Sequence, residues 1–293
     1  MPSPIEPLMN AIAASPFRVA PEAADALTNE VNALNISLEF VNNPKKYAEY
    51  APDTTIVRLG TQYLEVLWSA AHAFIIVFDE YEKANRRGEE YFQVGADDRT
   101  KAAYALYRKL LQAHVRGQSP DWLDTVVRPV QFPEPDTDAH VANELFLTAV
   151  SWVIHHEIAH ARLRHKNVTV NSVLQESDAD RAATDWVRTG TPEPHSLFKR
   201  GMGVTCALLH LLAYDLEHGR VTFTTHPPTY ERLAANLDRL GFEPSHKVYA
   251  FAFVLLEILL AQHGIKVETD KQATFHEMLA SACLKVRSLG SAT

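Results

Sequence analysis

The sequence is poor in cysteine and in positive charge. Its 293 residues include two cysteines, Cys206 and Cys283, which are far apart and form no CxxC pair. This excludes a disulfide framework, and we expect two reduced thiols in the core. Lys and Arg total 28 against 36 Asp and Glu, a formal net charge of −8. We therefore expect no nucleic-acid partner, because phosphate binding needs a basic surface and no Lys/Arg-rich stripe is seen. A protein or peptide partner fits this balance better.

The sequence also lacks a convincing membrane span. The apolar run 66–78 is interrupted by His72, and the run 248–261 is shorter than the ~20 residues that a span requires. Both runs predict buried core helices. The first 20 residues show no basic segment followed by an apolar one, so no signal peptide is expected. We expect a soluble, cytoplasmic protein with no membrane partner.

Hydrophobic periodicity predicts a mainly α fold with a small N-terminal β element, an α+β class. Ile36, Leu38 and Phe40 alternate with polar neighbours, and residues 54–59 are β-branched, so each segment predicts a strand. Helices are predicted at about 61–86, 98–116, 138–165, 172–189, 196–217, 228–240, 244–263 and 269–288. Residues 1–60 form a mixed segment packed on a helical region, 61–293, in one domain overall. The Pro-rich stretch 117–138 is the longest candidate loop, either a linker or a surface flap.

The residues with the clearest chemistry are His156-Glu157-Ile158-Ala159-His160, an HExxH motif within a helix-periodic segment. Positions i and i+4 share one helix face, so two imidazoles can bind one Zn²⁺. Glu157 points beside them, where a general base can take a proton from a zinc-bound water. The alternative is a pair of surface histidines with a charged neighbour, which a chance match would produce.

A candidate third ligand follows in Glu176-Ser177-Asp178-Ala179-Asp180. A catalytic zinc takes three protein ligands plus water, and Glu176 would be the third. Asp180, on the same face, could accept a hydrogen bond from the far nitrogen of a ligand histidine. Asp178 is a rival ligand that faces elsewhere if Glu176 points inward. The alternative is an acidic first turn that complements the helix dipole.

A third element is the stretch from His226 to Arg232, in which two prolines precede a predicted helix. His226 is well placed to donate a hydrogen bond to the oxyanion of a tetrahedral intermediate, and Tyr230 is a second candidate donor. Arg232 could orient the loop through carboxylates or carbonyls. The alternative for His226 is a histidine in a surface turn. Among the other histidines, His165 is expected to face solvent.

Together these motifs resemble the gluzincin pattern HExxH, ExxAD and HPxxxxR of CAAX prenyl proteases and HtpX-type peptidases, and more closely the soluble phage-exclusion peptidases of the Lit type. The resemblance runs end to end. Its residues are Ser3-Pro4-Ile5, Ala14-Ser15-Pro16-Phe17, Ala20-Pro21-Glu22, Trp152 to Ile158, Glu176 to Asp180, Ala183 to Trp186, His226-Pro227 and Tyr230 to Arg232. One departure is Asp178, which stands where such peptidases have Glu, so its role stays open.

The resemblance implies a gluzincin-like helical core and a role in abortive infection, as antiviral defence. Lit-type peptidases cleave elongation factor Tu after a phage capsid-derived peptide has bound it. We therefore expect a zinc endopeptidase that stays latent until triggered, since an unregulated cytoplasmic protease would damage its own cell. Two alternatives stay open: a metal-free interaction scaffold that keeps the peptidase fold, and a zinc hydrolase of another class, such as an aminopeptidase.

Overall fold

A computed structural model describes residues 3–89, 93–119, 121–122, 127–165, 172–190, 193–220, 226–268, 270 and 272–290. Every helix predicted beyond residue 60 is present, with ends that differ by a few residues. They are α3 (Thr61–Arg86), α4 (Asp98–Val115), α5 (Asp138–Arg162), α6 (Ser172–Arg188), α7 (Pro194–Glu217), α8 (Thr229–Leu240), α9 (Lys247–Gln262) and α10 (Phe275–Gly290). The predicted fold class, mainly α with a small β element, is confirmed.

The N-terminal segment holds two helices that the periodicity did not locate, α1 (Met9–Val19) and α2 (Ala24–Ala33). A three-stranded sheet follows, made of β1 (Ser37–Val41), β2 (Ala48–Ala51) and β3 (Ile56–Gly60). β1 and β3 are the two predicted strands. Their order is β1-β3-β2, with β1 parallel and β2 antiparallel to β3. All four residues of β2 are half-buried, so this edge strand lacks the alternation by which sequence reveals a strand.

The long helix α3 is buried on nearly all sides, as the apolar run within it predicts. It is long and apolar enough to cross a membrane by length and composition, but 94% of its most apolar stretch is buried inside the protein. A helix that is apolar all round belongs to a core or to a membrane, and here neighbouring helices cover it. α4 and α5 pack against it, and Trp68 and Phe74 are fully buried.

α5, which carries the HExxH motif, lies at the centre of the helical assembly. α1, α3, α6 and α7 all pack against it. The approach of α7 depends on Gly203, where an added Cβ would come within 2.4 Å of Thr148 on α5. The helix begins at a threonine cap, because the Thr137 side chain accepts a hydrogen bond from the His140 backbone N–H. Burial on several sides fixes the rotation of the motif about the helix axis.

The predicted cysteine and loop assignments can be compared with the described residues. Cys206 and Cys283 are both free and buried. The long loop is irregular where it is described, and it is anchored at two points: Trp122 donates to Glu65, and the Asn143 side chain donates to the Val130 carbonyl. Residues 120 and 123–126 of this loop lie outside the described part, and its role as a linker or flap stays a prediction.

Candidate active site

The two histidines of the motif meet at one point beside α5. Their Nε2 atoms are 3.2 Å apart, and both side chains are largely buried. The helical spacing of four residues places one imidazole above the other on a single face. Both Nε2 atoms thus point to the same place, where they could bind one cation together.

Glu176 reaches the same point from α6. One carboxylate oxygen is 3.1 Å from His156 Nε2, and the other is 3.5 Å from His160 Nε2. Zinc bonds of ~2.0–2.1 Å in a tetrahedron place ligand atoms about 3.3–3.4 Å apart. The 3.2 Å between the two imidazole nitrogens is close to such an edge, and the two oxygens of Glu176 lie at similar distances from one nitrogen each. Ligand atoms of His156, His160 and Glu176 all lie within 4.8 Å of one another.

The charges around this point also suit a divalent cation. Three carboxylates, those of Glu157, Glu176 and Asp180, lie beside it with one guanidinium, that of Arg232. When all are ionised they leave two negative charges in a buried place, which one Zn²⁺ balances. Donor identity, spacing and charge thus all fit zinc.

Asp180 lies behind His156, one turn after Glu176 on α6. Its Oδ1 is 2.8 Å from His156 Nδ1, a close ion-pair contact that is not aligned as a hydrogen bond. Arg232 on α8 donates two hydrogen bonds of 2.7 Å to the same carboxylate. Asn236, one turn further, contacts it at 3.5 Å. This buried chain holds His156 by the nitrogen that faces away from the metal position.

The protonation of these side chains follows from their contacts. Burial alone would lower the pKa of His156, but Asp180 and Glu176 outweigh it and raise that pKa to about 10. Burial raises the pKa of Glu176, yet the hydrogen bond and charge of His156 bring it down to about 2. The pKa of His160 is lowered to about 4, by burial and by the charge on His156. Without metal, a proton on His156 supplies part of the positive charge that the carboxylates require.

Glu157 points into a cavity of about 550 Å³ in front of these ligands. Its side chain is buried, and burial raises its pKa to about 7, with the Glu176 charge acting in the same direction. The Tyr50 backbone N–H on the edge strand β2 donates to it. A carboxyl with a pKa near neutrality, beside the ligand cluster, has the properties of a general base.

Of the two candidate oxyanion donors after residue 225, one lies at the cavity and the other in the core. His226 lines the cavity, and its Nε2 is 3.5 Å from Glu176 Oε1. Tyr230, the second residue of α8, does not line it: its side chain is buried where α8 packs against α10, with Cys283 and Arg287 as neighbours. The structure thus brings the predicted donor His226 to the site and leaves Tyr230 outside it. The tyrosines on the cavity walls are Tyr47, Tyr50, Tyr63 and Tyr214.

Two other acidic or basic side chains near the motif differ in placement. Asp178 pairs with Arg181 on the exposed face of α6, so it is not with the ligand atoms. His165 was expected to face solvent, but its Nδ1 lies 3.0 Å from His160 Nδ1 and it lines the cavity. This contact arises because α5 ends at Arg162 and the chain then turns back. Arg164 has a φ of 53° in this turn, which the sequence does not reveal.

Comparison with known proteins agrees with the geometry of the site. The family model of peptidase U49 matches residues 57–252, which is most of the chain and includes α3 to α8 with all the ligands described above. This chain belongs to the peptidase U49 family. The cell death peptidase of Escherichia coli K12 is 28% identical over 297 residues, an alignment that covers 99% of this chain and all of that protein. No solved structure matched.

The family assignment agrees with the resemblance to Lit-type peptidases, which is confirmed. It also means that the chain is a peptidase of this family. The match begins at β3 and ends within α9, so the U49 region spans the HExxH helix, the Glu176 helix and the His226 segment together. Tyr47 and the edge strand β2, which contains Tyr50, lie before the matched region.

Proposed function

We propose that this U49 peptidase is a zinc-dependent endopeptidase whose metal is held by His156, His160 and Glu176. The observation that carries the proposal is the convergence of three side chains: the two Nε2 atoms are 3.2 Å apart, and the two oxygens of Glu176 lie 3.1 Å from His156 Nε2 and 3.5 Å from His160 Nε2. In the bound state, zinc would polarise the scissile carbonyl and lower the pKa of its water toward ~7. The remaining steps are assigned to side chains of this chain.

In this proposal Glu157 is the general base and then the general acid. It takes a proton from the attacking water and passes it to the leaving amine, the role that a buried carboxyl beside the ligand side chains can perform. His226, at the cavity wall, donates a hydrogen bond to the developing oxyanion. Asp180 and Arg232 hold His156 in one orientation during the reaction.

Cleavage within a chain, rather than at its end, is favoured by the edge strand β2. The Tyr47 carbonyl accepts from the Gly60 N–H and so faces β3, whereas the Tyr50 N–H faces Glu157. Alternation along a strand then directs the N–H and C=O of Ala48 and the C=O of Tyr50 away from β3, toward the cavity that both residues line. An internal extended segment could pair with this edge without any free terminus.

The biological substrate is proposed from the relatives. The resemblance to Lit-type peptidases points to elongation factor Tu as substrate, with a phage capsid-derived peptide as trigger, in the cytoplasm of an infected cell. The name of the cell death peptidase, which matches along its whole length, supports a role in which cleavage stops the host cell. Latency would then reside in the substrate complex, which presents the scissile segment only after the trigger has bound.

The test is cleavage of purified elongation factor Tu with and without a capsid-derived peptide. We expect one cleavage event that needs the peptide, is abolished by removing zinc with a chelator, and returns when zinc is added back. A matched Glu157→Gln protein should remain inactive in every arm. Zinc-independent cleavage would contradict the metal assignment. Cleavage of other proteins but never of elongation factor Tu would contradict the substrate and leave the zinc chemistry in place.

A further inference from the structure

A second carboxyl lies in the cavity without any role in the chemistry described so far. Asp215, near the end of α7, is 7% exposed and lines the cavity. Its Oδ2 accepts a short hydrogen bond from the Thr229 hydroxyl. Among the described residues no lysine or arginine forms an ion pair with it. The one nearby cation, Arg232, already has its two hydrogen bonds to Asp180.

Charge balance leaves this carboxyl uncompensated. Zinc would neutralise the two negative charges left by Glu157, Glu176, Asp180 and Arg232, so an ionised Asp215 is an additional negative charge in a buried wall. Burial accordingly raises the pKa of Asp215 to about 7, and neither Thr229 nor Arg232 offsets it. A buried acid of this kind is stabilised when a cation enters beside it.

Aromatic rings complete the same part of the cavity. Tyr47 and Tyr214 are 5.0 Å apart between ring centroids in an edge-on contact, and Tyr47 and Tyr63 are 5.8 Å apart. All three rings line the cavity, together with Leu211. Aromatic faces attract organic cations, and apolar walls exclude the water that would screen a carboxylate. Rings and carboxyl together therefore suit the end of a long basic side chain.

We propose that Asp215 and the three tyrosine rings form a substrate subsite that binds an ammonium or guanidinium group. This inference rests on the proposed peptidase function, because the subsite opens from the same cavity as Glu157. The positive group belongs to a lysine or arginine side chain close to the scissile bond, or to a free N-terminus, and the chemistry of recognition is the same for both sources. Asp215 is thus a specificity-determining residue.

Binding to an inactive full-length enzyme tests the subsite directly. Zinc-loaded Glu157→Gln protein is titrated with peptides blocked at both ends that carry arginine, citrulline, lysine or norleucine at one position. Citrulline has nearly the shape of arginine without its charge. We expect arginine and lysine peptides to bind about tenfold to a hundredfold more tightly than citrulline and norleucine peptides, the range of a charge-assisted hydrogen bond.

Two added substitutions locate the effect. Asp215→Asn in the same background should abolish the difference between arginine and citrulline. Glu49→Gln, which removes a different carboxylate from the cavity wall, should preserve it. A purely structural role, in which Asp215 only fixes the start of α8 through Thr229, predicts a lower melting temperature and an unchanged arginine-to-citrulline ratio. If Asp215→Asn fails to fold, the parent protein still decides, because equal affinities for all four blocked peptides and for the unblocked norleucine peptide would overturn the proposal.

A further arm separates the two sources of the cation. Norleucine peptides with a free N-terminus are compared with the blocked ones. Tight binding of the blocked arginine and lysine peptides assigns the subsite to a side chain. Tight binding only of the unblocked norleucine peptide keeps the subsite and assigns it to the α-amine. The zinc content of each sample is measured separately, so loss of zinc with retained cation preference would refute the proposed function and leave this inference standing.

Discussion

The charged side chains on the two walls of the cavity are stabilised in different ways. On the wall formed by α5, α6 and α8, charged groups are held by one another: Asp180 contacts His156 and accepts two bonds from Arg232. On the wall formed by β2, α3 and α7, tyrosine rings surround Asp215, which has a hydrogen bond from Thr229 and no ion pair among the described residues. In our proposal the first wall, the metal wall, holds the zinc ion, and the second, the substrate wall, binds the substrate.

The largest effect on activity should come from substitution of Glu157, which lies where the two walls meet. Glu157→Gln is expected to lower kcat/KM by roughly 10²–10⁴, because proton transfer is lost. Zinc content should stay at the wild-type level, since this side chain is not one of the three ligands. Glu144→Gln, on the exposed part of the same helix, is the matched control and should retain activity. Normal cleavage by Glu157→Gln would show that another group is the base.

Removing the hydrogen-bond donor at the cavity wall should cost less. His226→Ala is expected to reduce kcat by about 10²–10³, the usual loss for one oxyanion donor. Tyr230→Phe should leave kcat close to that of the wild type, because this ring is buried against α10. Steady-state kinetics of both variants make the comparison. If Tyr230→Phe were the more damaging change, our placement of the oxyanion donor would be wrong.

Two Asp–Arg pairs join α6 to α8, one buried and one exposed. Comparing them distinguishes a role in metal binding from a role in ordinary helix packing. Asp180–Arg232 is buried, with side chains 5% and 8% exposed, whereas Asp185–Arg239 is 48% and 34% exposed. Asp180→Asn should weaken zinc binding by about 10–100-fold and lower the free energy of unfolding by roughly 3–5 kcal/mol. Asp185→Asn should change stability by only about 0–1 kcal/mol and spare zinc affinity. Zinc titration measures the zinc affinity, and urea unfolding measures the free energy of unfolding. Similar effects of the two substitutions would show that the buried pair has no special role in metal binding.

On the alkaline side, the pH dependence of stability should differ between zinc-free and zinc-bound protein. The pKa of His156 in the folded, zinc-free protein is about 10, above its unfolded value of ~6.5. Its stabilising contribution is therefore complete below pH ~6.5 and lost as the pH rises toward 10. Zinc binds neutral imidazole, so bound metal should remove this alkaline loss. Urea midpoints above pH 7, with and without zinc, test this; parallel curves would contradict it.

On the acid side the zinc-free protein should lose stability as well, and zinc-bound protein should lose in addition the stabilisation by zinc, because its histidine ligands become protonated. Four buried histidines away from the metal position have pKa values lowered by burial to about 3–4: His72, His114, His155 and His210. Since the folded pKa lies below the unfolded one, they favour folding above pH ~6.5 and oppose it as the pH falls toward 4. Raised pKa values of Glu157 and Asp215 act in the opposite sense but are fewer. Urea midpoints that stay constant from pH 6.5 to 4 would contradict this.

The sequence predicted the metal wall far better than the substrate wall. Helix periodicity and the i, i+4 spacing place His156, His160, Glu176 and Asp180 on defined faces, so their mutual positions follow from local geometry. The substrate wall is assembled from distant segments. Tyr47 precedes an edge strand with no alternation, and no local pattern brings it beside the residues of α3 and α7.

Individual residues show the same limit. His165 lies beyond the end of α5, and only the backbone turn at residues 163–165 brings it to His160. Tyr230 is the reverse case: it follows His226 by four residues, but the helix begins at Thr229 and carries its ring to the core. The direction of a side chain within a regular helix can be predicted from the sequence. The direction of a side chain at a helix end depends on the turn that the surrounding structure imposes.

The zinc content of purified protein tests the central claim most directly. Wild-type protein, Glu176→Gln and Asp178→Asn are each exchanged into zinc-containing buffer, freed of unbound metal and measured for zinc per chain. The account predicts about one zinc in the wild type and in Asp178→Asn, and a large loss in Glu176→Gln, because a catalytic site takes three protein ligands. A wild-type protein without zinc, or a Glu176→Gln protein that binds it as tightly as the wild type, would contradict the account.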